Sequence, residues 1–255
     1  MKMNVYCYDK ACCALVLAAM SLTVGEVTAA ETGAPASEAR QTVVTNIGFN
    51  GTATLTVAPN ALRVVPGTSK SSTTFCIDVY LENTATIAVL DATVEVPAGV
   101  TLDDVTPTER VVEGTPISKD ASSDGYNVTM GSSVTQALAV SGNSGKLCSL
   151  QMSASEAFAS SANVVIKGVT AMDTNGNAKA FGDELTVRLE RVERGNVNGE
   201  DAITANDASL VLQLVASKIS ARTEGVVYDA ADVNGDGQVT AQDASLILQM
   251  VAGKK

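Results

Sequence analysis

The residues of this chain best equipped for chemistry lie near its end, in the run Asp232-Val233-Asn234-Gly235-Asp236-Gly237-Gln238-Val239-Thr240-Ala241-Gln242-Asp243. Asp232, Asn234 and Asp236 alternate, so a loop can turn their oxygens to one side. Calcium, a hard cation, takes six to eight such oxygens. Gly237 stands where the chain must bend sharply at positive φ, a conformation open to glycine. Gln238 offers its backbone carbonyl, and Asp243 closes the loop at its twelfth position. This spacing predicts a calcium site.

A second copy of the pattern lies 36 residues upstream. Residues 196–218 and 232–254 share 14 identities over 23 positions, a repeat far beyond chance. Asn196, Asn198, Glu200, the carbonyl of Ala202 and Asp207 fall on the ligand positions. Asn196 replaces the acid of the first position and Asp201 replaces the glycine, so this site is expected to hold calcium more weakly. For either loop the alternative is an Asn/Asp-Gly turn without metal. A third run, Asp173 to Asn177, lacks a closing acid and sits between strand-like segments, which predicts a hairpin turn.

Each loop leads into a helical pattern. Leu210, Val211, Leu214 and Val215 form one apolar stripe, and Leu246, Ile247, Met250 and Val251 form the other. The two stripes are expected to bury each other, with Leu212, Gln213, Leu248 and Gln249 on other faces. A module this small needs folding energy from metal binding. The residue at each twelfth position, Asp207 or Asp243, also falls at the start of the helix and can help cap it. A conventional EF-hand has Glu there and a helix before the loop. Here no helical pattern precedes either loop.

These departures resemble the type I dockerin family, in which a calcium loop plus one helix, an F-hand, is used twice. The resemblance covers about 193–255. It implies a small all-α docking module with two calcium ions and a cohesin domain as partner. It also implies contacts at loop positions ten and eleven, here Ala205-Asn206 and Ala241-Gln242, with Lys218 and Lys254 nearby. The near-duplicate repeats suggest two faces of similar chemistry.

Upstream, over about 50–192, the pattern changes to short strands. Phe75, Ile77, Val79 and Leu81 alternate with Cys76, Asp78, Tyr80 and Glu82, a period of two. Further strand-like runs are 52–57, 86–96, 127–130, 147–152, 164–169 and 185–192, separated by turn residues such as Pro66-Gly67 and Asn143. This predicts an antiparallel all-β sandwich or jelly roll. The segments Leu55-Thr56-Val57-Ala58-Pro59, Val64-Val65-Pro66-Gly67, Val94-Glu95-Val96-Pro97-Ala98-Gly99-Val100 and Val169 to Asn177 are similar to those of cohesin domains. That resemblance implies a jelly roll able to receive a dockerin.

Composition narrows the function. With 17 basic and 28 acidic residues the chain carries a net charge of −11, which repels phosphate backbones and argues against nucleic-acid binding. The absence of histidine removes the usual general base and most zinc sites. Aromatics are 4%, too few for broad sugar-stacking platforms. The expectation is therefore no enzyme but an assembly adaptor. The alternative is a carbohydrate-binding sandwich carried by a dockerin, which would have to use Phe75, Tyr80, Tyr126, Phe158 and Phe181.

The N-terminus reads as a secretory signal over 1–29: Lys2 and Lys10, a short apolar run from Ala11 to Val24, then small residues around Ala29. Its export would place the protein outside the cell or at its surface, with no membrane span afterwards and with polysaccharide breakdown as one setting. Residues 30–49 follow as a flexible leader. Signal removal leaves Cys76 and Cys148, a candidate disulfide. Cys76 is out of phase with its strand's apolar residues and Cys148 in phase with Leu150 and Met152, so two separate thiols are the alternative.

Overall fold

The computed structural model describes residues 41–46 (backbone), 51–67, 72–181, 183–200, 202–221, 223 and 225–253. The signal expectation, the first part of the leader and Lys254 lie outside the described residues. Among those described, two sheets precede three helices.

The first sheet orders its strands β1-β2-β4-β9-β6, where β1 is Gln41–Asn46, β2 Thr52–Ala58, β4 Thr73–Asn83, β6 Val100–Pro107 and β9 Lys146–Ala154. The second orders them β3-β12-β10-β5-β8-β7, where β3 is Ala61–Val64, β5 Val89–Glu95, β7 Ile117–Ala121, β8 Gly125–Gly131, β10 Ala162–Met172 and β12 Leu185–Arg191. The short β11 (Ala178–Ala180) pairs with β10. Alternation builds the core. Leu55, Val57, Ile77, Val79, Leu81, Leu150 and Met152 from one sheet meet Val94, Val128, Met130, Val164, Ile166, Val187 and Leu189 from the other in one buried cluster. The sandwich is thus as expected.

Three details differ from the sequence reading. The leader does not run to residue 49 as a flexible segment: Gln41–Asn46 pairs antiparallel with β2, from Gln41↔Val57 to Asn46↔Thr52. Its β-branched residues suit a strand, and the edge of β2 supplies the ladder. Secondly, β3 pairs in parallel with β12, Ala61 beside Arg188 and Val64 beside Arg191, an otherwise antiparallel architecture notwithstanding. Thirdly, Cys76 and Cys148 are not joined. Their strands are neighbours, with Cys76 opposite Gln151 and Cys148 opposite Val79. The three-residue offset puts Cys148 on the core face and Cys76 on the other, out of reach of a disulfide. Burial, followed by the nearby Asp78 charge and opposed by Lys146, pushes the Cys148 thiol up to about 12.

One polar group organises the end of the sandwich. Buried Arg110 donates from Nε to Ser141 O (3.0 Å) and from Nη1 to Leu81 O and to Gly145 O (3.1 Å). Its Nη2 donates to Asn83 Oδ1 (2.7 Å) and Gly142 O (3.2 Å). The guanidinium fork thereby ties the end of β4 to the 141–145 loop.

The Asp173–Asn177 run is the expected hairpin turn between β10 and β11. Fully buried Asp173 accepts from Asn175 N and Asn177 N, each at 2.9 Å, and from both Asn side chains. Burial raises its pKa, but these hydrogen bonds outweigh it and hold the carboxyl below its ordinary value.

Candidate calcium loops and docking helices

After β12 the chain enters two loop-plus-helix units. The first helix, α1, spans Ala205–Val215 and its counterpart, α3, spans Ala241–Val251. Both begin alike. Thr204 and Thr240 are the N-caps, and Asp207 and Asp243 sit at the third helical position and reach back to the cap, completing a capping box in each. The closing acid is thus part of the helix start, as its position suggested. A difference lies before the second loop, where Tyr228–Ala231 forms a single helical turn, α2. Two alanines with good helix propensity and burial of Ala230 and Ala231 account for it.

The closing acids are the best-anchored side chains of the module. Asp243 is fully buried and its Oδ1 accepts from Val233 N (3.0 Å) and Asn234 N (3.3 Å), its Oδ2 from Thr240 N (2.9 Å) and Thr240 Oγ1 (3.0 Å). Asp207 does the same with Val197 N (2.8 Å), Asn198 N (3.0 Å), Thr204 N (2.8 Å) and Thr204 Oγ1 (3.1 Å). Each closing carboxylate therefore stitches the start of its loop to the start of its helix.

The remaining ligand candidates lie along the loops. Asp232 accepts from Gly235 N (2.8 Å), Asp236 N (3.2 Å) and Gly237 N (2.9 Å). Asn234 Oδ1 accepts from Asp236 N (2.8 Å), its Nδ2 donates to Asp236 Oδ2 (2.9 Å), and Asp236 Oδ1 accepts from Gln238 N (2.9 Å). Gly237 has φ +87°, the left-handed turn its position required. In the first loop Asn198 Oδ1 accepts from Glu200 N (3.0 Å), and Asn196 Nδ2 donates to Glu200 O. Ala202 and Glu200 are exposed. Among the described residues no three acidic or thiol groups are gathered as they would be round a metal ion. The acidic oxygens are instead turned onto the loops' own N–H groups.

Whether these residues fit a cation is decided by chemistry and by two orphaned atoms. The donor set is oxygen throughout, as calcium requires. In the first loop Asn196 Oδ1 and Asn198 Nδ2 are buried with no hydrogen-bond partner. An unpaired buried oxygen at the first ligand position is what an inbound cation would satisfy, and a half-turn of the Asn198 amide would present a second oxygen. The loops fit the ion.

The family model described as the dockerin type I domain matches residues 194–252. The C-terminal segment is a dockerin type I module. Dockerin type I domains bind calcium, in keeping with the oxygen-lined loops of this one. The sandwich aligns with solved cohesins. One is a non-cellulosomal cohesin from the archaeon Archaeoglobus fulgidus, at 13% identity, 52% of this chain, 87% of that one and a TM-score of 0.38. Another is the cohesin module of a Clostridium perfringens family 33 glycoside hydrolase, at 11%, 56%, 98% and 0.39. A third is a Clostridium acetobutylicum cohesin, at 16%, 53%, 90% and 0.39. No curated protein sequence matches the chain.

The dockerin helices pack through Ala208 and Val211 of α1 and Ala244 and Ile247 of α3, all buried, with Leu210, Leu214, Val197 and Ala231 around them. The expected stripes are only half right. Val215, Met250 and Val251 are 45%, 44% and 46% exposed. Two eleven-residue helices with small Ala residues at their contact cover a narrow strip, so the last turn of each stripe is left outside. Leu212 and Leu248 lie on the outer face as expected, both 48% exposed. Ala205, Asn206, Ala241, Gln242 and Lys218 are exposed as well. No helix among the described residues is long and apolar enough to cross a membrane.

Sequence reasoning gave no role to Asp229, in α2. Burial pushes its carboxyl up to about 6, Arg194 opposes the shift and Asp232 adds to it. An unfolded Asp titrates near ~3.9. The folded state thus binds the proton more tightly, so this group favours folding below about pH 4 and that contribution is lost as pH rises through about 6. Since burial is the leading cause of the shift, Asp229→Asn is expected to stabilise the dockerin at pH 7 and to leave it unchanged at pH 4. Thermal melts at the two pH values read the difference.

Proposed function

We propose that this chain is a secreted, non-catalytic adaptor. Its dockerin takes up two calcium ions and plugs into a cohesin, and its cohesin-like sandwich serves as a socket for dockerin-bearing proteins in an extracellular or cell-surface complex. Asp232, Asn234, Asp236, the Gln238 carbonyl and Asp243 would hold the tighter ion. Asn196, Asn198, Glu200, the Ala202 carbonyl and Asp207 would hold the weaker one. Bound calcium would neutralise the loop acids and fix the helix starts, while the protein's own groups cap and orient those helices.

The observation that carries this reading is the matched pair of outer helix faces. Ala205, Ser209, Leu212 and Ala216 on the first helix, and Ala241, Ser245, Leu248 and Ala252 on the second, stand at i, i+4, i+7 and i+11 and are all exposed. A ridge of small and apolar side chains on each repeat, starting at loop position ten, is suited to recognition in either of two orientations. Exposed Lys218 would add charge beyond the first ridge. The sugar-binding alternative is disfavoured by the aromatics it needs. Phe158 and Phe181 are buried in the core, and Phe75 and Tyr126 pack against it from different sheets, so these four do not line one exposed strip.

Calcium titration of the full secreted chain by calorimetry should resolve two sites. Asn196→Asp should tighten the weaker by roughly tenfold, since it restores an acid at the first position. Purified cohesin domains on a resin should retain the chain in calcium and release it in chelator. Calcium-independent retention, or retention by a polysaccharide gel in place of cohesin, would refute the reading.

A further inference from the structure

The sandwich and the dockerin meet at a built junction. Val65 and Val192 of the sandwich side and Val227 and Ala230 of the dockerin form their own buried cluster, apart from either core. Backbone hydrogen bonds fix the cluster's two sides: Val192 N to Val64 O (2.9 Å) within the sandwich, and Gly195 N to Ala230 O (2.8 Å) and Val227 N to Val197 O (2.7 Å) within the dockerin. The sandwich also approaches the first loop closely, because a Cβ on Gly199 would come within 2.8 Å of Arg63 Nη1.

Arg194 spans this junction. Its Nη1 donates to the carbonyl of Asp232 (2.6 Å) and its Nη2 to the carbonyl of Pro66 (3.2 Å), just beyond the edge strand β3. Asp232 is the first residue of the second loop. One guanidinium thus grips the backbone of a residue whose side chain would hold calcium, and with its other arm grips the sandwich. A planar fork does this with little loss of freedom, which an ammonium cannot match.

We propose that the sandwich is a seat for the loop end of the dockerin, and that Arg194 is a positioning residue coupling the second calcium loop to the edge strand Ala61–Val64. This rests on the proposed calcium binding. Ordering the Asp232 side chain with an ion orders the backbone that Arg194 holds, and anchoring that backbone to the sandwich pre-orders the loop for the ion. The coupling is reciprocal, as any linkage between two sites must be.

Amide hydrogen exchange of the full secreted chain, with calcium and with chelator, tests it. In the wild type, calcium should slow exchange in 232–243 and also in 61–67, the latter by about fivefold or more. In Arg194→Ala and Arg194→Lys, 232–243 should still respond to calcium, with affinity weakened roughly tenfold, while 61–67 no longer responds. Protection of 232–243 with 61–67 unmoved in the wild type would overturn the coupling and leave the proposed function standing. An undiminished response of 61–67 in both variants would remove Arg194 from the role. No response in either segment would overturn the coupling together with the calcium reading it rests on.

Discussion

Asp243→Ala is expected to abolish the folded dockerin while the sandwich persists. The substitution strips a fully buried carboxylate from Val233 N, Asn234 N, Thr240 N and Thr240 Oγ1. Leaving several buried donors unpaired costs about 3–5 kcal/mol. A module of this size has about that much stability in total, and it would lose a calcium ligand besides. Circular dichroism should show the helical signal falling to that of the chelated protein. Calorimetry should show the dockerin transition vanish and the sandwich transition remain. Asp207→Ala should do the same, because its hydrogen bonds repeat those of Asp243. Asp183→Ala, at an exposed site, should change nothing. Retained helicity and calcium uptake in Asp243→Ala would show that the closing acid does not hold the unit together.

Arg110→Ala should produce the largest effect in the sandwich. Five acceptors lose the guanidinium at once: the carbonyls of Leu81, Ser141, Gly142 and Gly145, and Asn83 Oδ1, although Gly145 O keeps Leu81 N. Carbonyls at a loop can recover water, so the loss is smaller than five full penalties, about 3–4 kcal/mol. For a domain of this size that lowers the melting temperature by roughly 10 °C. Arg110→Lys should recover little, since one ammonium cannot reach acceptors on both sides of the loop. The dockerin transition should not move. A sandwich melt within a degree or two of wild type would mean that the 141–145 loop is held by its backbone pairing alone, through Leu81 N to Gly145 O and Asn83 N to Asn143 O.

Much of the site was legible because its determinants are local. The twelve-residue loop spacing, the Thr-x-x-Asp start of each helix and the positive φ of Gly237 depend on residues close in sequence, and the 36-residue repeat states each of them twice. The β4 alternation is equally local, since every second residue of an extended chain faces the same side. Arg110 left no such signal. It lies between Glu109 and Val111 with no periodic pattern, and its partners are up to 35 residues away.

By itself, then, the sequence determined the two oxygen-rich loops, the helices they launch, the all-β character of what precedes them and the exclusion of histidine-based chemistry. These follow from residue type and short-range spacing. Only the tertiary structure decided that 41–46 closes an edge, that β3 runs parallel to β12 and that Cys76 and Cys148 point to opposite sides of one sheet. It alone decided that Val215, Met250 and Val251 stay outside the helix contact, and that Arg194 clamps the second loop to the sandwich. Register, crossing and junction contacts depend on which distant segments meet, and no spacing along the chain encodes that meeting.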